Sequence, residues 1–257
     1  MAAVHSINWR QIRTLTAASI KSRYRNTIAG VLWVVLSPLL MFGAQGYVFK
    51  MILKIGHPNY PLFLLTGLMP WIFLNQSVGM STGLFVANAR LFKSFPIHPA
   101  ASLISIIVDN LLNFLLTFAL ILAGVSIFGT GVDVVHFLIL PLPFASLAVA
   151  VVGLCWFLAT LQVFYHDVRF VTDFVLSVMF FLTPIFYPRS FVPDRYQWII
   201  TCNPIAILLE PIQLLSQDVL PPTYLSSLAA SVGVAICFVL LSVGLWNWKK
   251  NAIYFRL

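Results

Sequence analysis

Six stretches of this chain are apolar on every face and approach or exceed the roughly 20 residues a helix needs to cross the hydrocarbon core of a bilayer. They run from Ile28 to Phe49, Leu62 to Ala87, Ala101 to Phe128, His136 to Phe164, Phe170 to Tyr187 and Leu225 to Trp248, separated by short polar or proline-containing segments. A membrane β-barrel would instead alternate polar and apolar residues over segments of about ten, so the expected fold is an all-α integral membrane protein with six transmembrane helices. Composition agrees. Hydrophobic residues make up 60% of the chain, charged residues only 9%, and mean hydropathy is +0.96, whereas soluble domains carry about a quarter charged residues.

Orientation follows from the excess of Lys and Arg near the cytoplasmic ends of spans. One side carries Arg10, Arg13, Lys21, Arg23, Arg25, Arg90, Lys93, Arg169, Lys249, Lys250 and Arg256; the other carries Lys50, Lys54, Arg189 and Arg195. That divides the 15 basic residues eleven to four, so both termini are expected in the cytoplasm. Basic residues beside anionic headgroups account for the net charge of +8 without nucleic acid as a partner. No cleavable signal peptide is expected before the first run, because residues 1–27 are polar and basic and lack a short apolar core. Cys155, Cys202 and Cys237 form no disulfide framework and read as packing residues.

The segments between the runs carry their own signals. Ahead of the first run, Asn8 and Gln11 resemble a helix-start pair, and Trp9, Ile12 and Leu15 recur at helical spacing opposite Arg10 and Arg13. This describes an amphipathic helix on the cytoplasmic membrane surface, the alternative being a flexible basic tail. Between runs two and three, Asn88 to Pro99 reads NARLFKSFPIHP, and its prolines limit any helix to about two turns. It is either a tight turn or a docking knob for a soluble partner, with Leu91, Phe92 and Phe95 as anchors and Arg90 and Lys93 as a charged rim. Pro188 to Pro222 is broken by prolines and half apolar, with patches at Trp198 to Ile200 and Ile205 to Leu209. Short helices dipping into the bilayer edge fit this outer segment better than an ordinary loop. The chain shows no internal repeat and reads as one domain over 1–257: interface helix 1–27, five spans within 28–187, outer segment 188–222, the sixth span 225–248 and a cytoplasmic tail 249–257.

Catalytic machinery is missing from the sequence. His5, His57, His98, His136 and His166 are scattered, no metal-ligand spacing appears, and no glycine-rich loop ends in Lys followed by Ser or Thr. A membrane-bound transferase is therefore disfavoured, and any ATP that drives the protein is bound, with Mg, by another chain. Asp109 falls inside the third run, where a charge costs about 2.5 to 3.5 kcal/mol at the centre of a helix. It lies near the cytoplasmic interface with Asn110 and Asn113, lines a polar path, or, with no second carboxylate beside it, serves an ion-coupled transporter as a weaker reading. Trp33, Trp71, Trp246 and Trp248 suit the headgroup belts. Aromatics turned toward a channel would offer flat faces along which sugar rings can slide, and Phe42, Tyr47, Trp71 and Phe73 are the candidates.

Three stretches taken in order resemble one family. They are Arg23 to Pro38 (RYRNTIAGVLWVVLSP), Leu65 to Trp71 with the 88–99 segment, and His166 to Pro204 (HDVRFVTDFVLSVMFFLTPIFYPRSFVPDRYQWIITCNP). The pattern looks like the permease subunit of ABC-2 type exporters of cell-surface polysaccharides such as O-antigen, capsule and teichoic acid. The resemblance implies a homodimer in a bacterial inner membrane, joined to two ATPase chains and exporting a lipid-linked polysaccharide. It implies that Arg23 and Arg25 pair with a lipid pyrophosphate, that residues 88–99 couple to the ATPase, and that Pro188 to Leu220, with Pro188, Trp198 and Pro204, gates the outer mouth. Two positions depart from the family pattern: His166, commonly Arg, and Gln213, where EPIQ usually ends in Arg, which removes a charge-based role at the outer gate. A permease for a small lipid or a drug remains the alternative, because one architecture serves many cargoes.

Overall fold

A computed structural model describes residues 9–24, 32–52, 59–94, 98–128, 138–217 and 219–256, and all regular structure among them is helical. Helix α1 (Trp9–Tyr24) precedes α2 (Leu32–Tyr47), which continues into a π-helical turn at Val48–Ile52. The central helix α3 (Tyr60–Thr82) opens with a proline in its first turn, where a missing N–H costs nothing. It is followed by α4 (Leu84–Ala87), α5 (Ala89–Ser94) and α6 (Pro99–Phe128). After α7 (Pro141–Phe164) and α8 (Val168–Leu182) come two short turns, Arg189–Phe191 and Asp194–Tyr196. Helices α9 (Gln197–Thr201) and α10 (Pro204–Gln213) lead to α11 (Tyr224–Arg256).

Four helices are long and apolar enough to cross a membrane: Tyr60–Thr82, Pro99–Ile127, Pro141–Phe164 and Tyr224–Lys250. The second run divides, because α3 stops at Thr82 and α4 starts beyond Gly83. The fifth is shorter than the sequence suggests. Helix α8 ends at Leu182 because Pro184 drives Thr183 into extended backbone (φ −91°, ψ 133°). Its 15 residues rise about 22 Å, less than the roughly 30 Å of a hydrocarbon core. The first run is helical over Leu32–Tyr47 and on through the π turn.

Helix α3 is the axis of the core, packed by α6, α7 and α8 and covered at one end by α10. Helix α11 lies along α7, and its backbone closes on Gly153, where a side-chain carbon would sit 2.7 Å from the Val239 backbone nitrogen. Its 33 residues extend about 50 Å, longer than the roughly 30 Å of a hydrocarbon core, with Lys249 and Lys250 in its last turns. Helix α1 packs against α6 through buried Ile12 and Thr16, whose hydroxyl donates to the Ser105 carbonyl at 3.4 Å; Trp9 on the same stripe is exposed. Asn8 lies outside the described residues.

Candidate coupling and translocation sites

Helices α4 and α5 form an almost continuous rod with breaks at Gly83 and Asn88. The Ala87 and Phe92 amides bond the Gly83 and Asn88 carbonyls, and the Asn88 side chain bonds the Leu84 carbonyl. Pro99 does not close this segment; it opens α6, a position that suits a residue without an N–H. On α5, Arg90 and Lys93 are exposed, while Leu91 and Phe92 are half-buried. The Phe92 ring meets the edge of fully buried Phe85 at 6.2 Å, so it faces the protein interior. Phe95 lies outside the described residues.

Phe85 belongs to an aromatic box at the base of this rod. Its ring lies 5.9 Å from Trp156 of α7 and 6.3 Å from Trp246 of α11, and those two indoles meet edge to face at 5.0 Å. His98 closes the box, 6.5 Å from Trp156 and 6.4 Å from Trp246. Its Nδ1 accepts from the Ala100 amide at 3.1 Å, which leaves the ring proton on Nε2. Burial between the two indoles holds the His98 pKa below the usual 6.5. Nearby, Gln162 pins the α7–α8 turn, donating to the His166 carbonyl at 2.9 Å and accepting from the Arg169 amide at 2.8 Å. Lys249 stacks over Trp248 at 3.9 Å. One end of the bundle thus gathers Arg90, Lys93, Arg169, Lys249 and the aromatic box.

At the opposite end, α9 and α10 meet at a 96° bend built by local chemistry. Pro204 occupies the first turn of α10, and Asn203 caps it, accepting from the Ile205 and Ala206 amides while donating to the Thr183 hydroxyl at 2.9 Å. Two more bonds fasten this segment to the core: Tyr60 donates to the Phe186 carbonyl at 3.2 Å, and Gln213 to the Pro184 carbonyl at 2.8 Å. Gln213 is buried against Gly67, a place where a neutral amide fits. Arg189 reaches Gln197 at 3.1 Å, Glu210 at 3.1 Å and Thr201 at 2.8 Å, tying the strap after Pro188 to both short helices. Trp198 is 64% exposed.

The channel-lining candidates separate. Trp71 and Phe73 are buried within the chain, Trp71 5.4 Å from Phe180 and Phe73 stacked on Phe114 at 5.3 Å; Phe42 is half-buried and Tyr47 exposed. Asp109 is 0% exposed and accepts from Asn113 at 3.5 Å, while Asn110 donates to Ser77 at 3.3 Å. Asn110 therefore ties α6 to α3, while the Asp109–Asn113 bond lies within α6. A cavity of about 360 Å³ opens between α2, α3 and α8, where Asn75, Gln76 and Ser177 stand beside Trp71, Phe180 and Phe181. A smaller one, about 120 Å³, lies on the other side of Gln76 and is lined by Ser37, Asn110, Asn113 and Thr117. Asn75 and Gln76 were legible as consecutive amides inside an apolar run; their exposure was not. Arg23 lies on α1 with its side chain outside the described residues, as is all of Arg25. Among the described residues no cluster of His, Cys, Asp or Glu could hold a metal ion.

Comparison with known proteins agrees with this architecture. The chain is 30% identical over 237 residues to an O-antigen export system permease protein RfbA of Klebsiella pneumoniae, covering 92% of this chain and 90% of that one. An RfbA of Myxococcus xanthus is 27% identical over 78% of this chain and 77% of its own length. The polysialic acid transport protein KpsM of Escherichia coli is 24% identical over 90% of this chain and 89% of its own. The sequence profile of the ABC-2 type transporter family matches residues 10–214, spanning α1 to the end of α10. An all-helical bundle with spanning helices, a short basic helical rod at one end and a bent helix pair at the other, covered by that match, belongs to the ABC-2 type transporter family.

Proposed function

We propose that this chain is the membrane-embedded permease of an ATP-driven exporter that moves a lipid-linked cell-surface polysaccharide from the cytoplasm to the outer side of a bacterial inner membrane. The observation that carries this reading is the similarity, over 92% and 90% of the chain, to permeases named for O-antigen export and polysialic acid transport. On this reading 1–257 is one transmembrane domain crossing six times, by α2, α3, α6, α7, α8 and α11, with both termini cytoplasmic. Two copies join two ATPase chains, which bind ATP and Mg. The exposed Phe170, Phe174 and Phe181 on α8 face the second copy or the path between copies.

The basic end of the bundle then meets the ATPase through α5, with Arg90 and Lys93 outward and Leu91, Phe92 and Phe95 completing the coupling element. Helix α1 rests at the cytoplasmic interface, where Arg23 and Arg25 meet the pyrophosphate of the lipid carrier through charge-assisted bonds. The bent pair α9–α10, with Pro188, Trp198 and Pro204, covers the outer mouth. The test is genetic and biochemical together. A producing strain lacking this chain should accumulate lipid-linked polymer inside and lose it from the surface, and the purified chain should retain a P-loop ATPase at one copy per permease. Export that survives ATP depletion and stops when the proton gradient collapses overturns the proposal.

A further inference from the structure

Of the four long apolar helices, α11 is the least enclosed: 22% of its apolar stretch is buried, against 78% in α3. Its buried side carries Leu228, Ser231, Ala235 and Ser242, with Ser231 bonded to Ser146 of α7 at 2.7 Å. The outer side is hollow. Gly233, Cys237, Leu240, Gly244 and Trp248 recur every three or four residues and so share one stripe, and with Phe157 of α7 they line a groove of about 620 Å³. A side-chain carbon added at Gly233 or Gly244 would meet nothing within 4 Å among the described residues. From Gly233 to Trp248 the groove runs about 22 Å along the helix axis, more than one leaflet's share of a roughly 30 Å hydrocarbon core. At the Trp248 end its character changes. The Lys249 ammonium lies 3.9 Å over the Trp248 ring and 5.6 Å from that of Phe164 at the end of α7, which holds the charge at the mouth of the groove, and Lys250 follows it, exposed.

We propose that this groove is the seat of one anionic phospholipid, with an acyl chain lying over Gly233 and Gly244 and the headgroup phosphate at Lys249 and Lys250. The two halves of the site do different work. An open apolar surface accepts any lipid tail, whereas two ammonium groups at its mouth select a negatively charged headgroup, as basic pockets between membrane helices do. Trp248 suits headgroup depth, and its ring fixes the Lys249 stem while the charge stays at the surface. A second copy of this chain fits the groove less well. Pairing the stripe with itself about a two-fold axis along the membrane normal sets Lys249 and Lys250 against the same two lysines. Leu240 and Leu241, 65% and 52% exposed, also stand between the two glycines and hold off the close helix approach that small residues permit. A phospholipid meets neither obstacle, because its chain bends around leucine and its phosphate is attracted to the lysine pair.

The test uses the full chain purified in mild detergent and two photoreactive lipids with the same diazirine acyl chain, one a phosphatidylglycerol and one a phosphatidylcholine. Phosphatidylglycerol should label peptides within 233–248 in preference to phosphatidylcholine. Lys249→Gln with Lys250→Gln should weaken its binding about fivefold for each charge removed. Gly233→Leu with Gly244→Leu fills the groove, keeps both charges and should lower phosphatidylglycerol labelling to the phosphatidylcholine level. Gly124→Leu on α6, where an added carbon also meets nothing within 4 Å, should leave the preference unchanged. Equal labelling by the two lipids, or a preference that survives the lysine or the glycine variants, means an ordinary lipid annulus and overturns the proposal. So does a Cys237–Cys237 disulfide between copies, formed by mild oxidant in intact membranes in a Cys202→Ser background, which puts a second copy in the groove. None of these readouts depends on the cargo, so their failure and that of the exporter reading are separate results.

Discussion

Gly153→Ala adds one methyl group where α7 and α11 cross. That carbon would lie 2.7 Å from the Val239 nitrogen, 2.8 Å from the Phe238 carbonyl carbon and 3.1 Å from the Phe238 Cβ. Ordinary contacts begin near 3.4 Å, so the helices must part by several tenths of an ångström. The obstacles are backbone atoms of a long helix and cannot rotate away. Alanine gains about 1 kcal/mol over glycine in helix propensity. Overpacking of this kind costs about 1 to 3 kcal/mol and also loosens dispersion contacts along the crossing. The clash wins, by about 1 to 2 kcal/mol at the upper half of that range, which lowers Tm by roughly 2 to 8 °C for a chain of this size. Gly233→Ala is the internal control, because nothing stands within 4 Å of its added carbon and only the propensity gain remains. Thermal unfolding of both variants in one detergent, followed by size exclusion after heating, gives the two signs side by side. A Gly153→Ala protein as stable as wild type, or a Gly233→Ala protein equally weakened, would refute the close crossing.

Phe92→Ala should leave a co-expressed ATPase bound, since its ring turns inward toward Phe85, while reducing export per ATP hydrolysed; Arg90→Glu with Lys93→Glu should instead weaken ATPase co-purification in a salt-dependent way. His98 gives the protein a pH dependence of definite sign. Its folded pKa lies below the unfolded 6.5, so the unfolded chain binds the proton first, and stability present above pH 6.5 is lost as pH falls from there toward the folded pKa. His98→Asn keeps an acceptor for the Ala100 amide and should flatten that part of a Tm-against-pH curve. Arg189→Ala removes three side-chain bonds at the bent pair but only an exposed ion pair, worth about 0 to 1 kcal/mol. Hydrogen exchange over 189–201 should quicken with little change in global Tm; exchange at the wild-type rate would mean the clamp does not hold the strap.

Runs of apolar residues long enough to cross a bilayer, the prolines that punctuate them and the skew of Lys and Arg are properties of the chain itself, and from them the helical membrane class is readable without coordinates. The short helices around Trp198 and Ile205 were legible too, from the prolines and apolar patches of 188–222, whereas the Asn203 cap that starts the second of them came from the structure. Which way each helix turns was not. Helices α3 and α7 are apolar all round, so no periodicity marks an inner face, and only packing against neighbours decides that Trp71 and Phe73 point inward while Asn75 and Gln76 open to a cavity. The same holds for α5, where Phe92 was expected as an outward anchor beside Leu91, yet its ring faces Phe85 because α7 and α11 bring Trp156 and Trp246 to that spot. Gln213 shows the point at one residue. Its departure from the family pattern is visible in sequence, but that its amide closes on the Pro184 carbonyl, across a break that Pro184 itself creates, depends on chain segments 29 residues apart meeting in space.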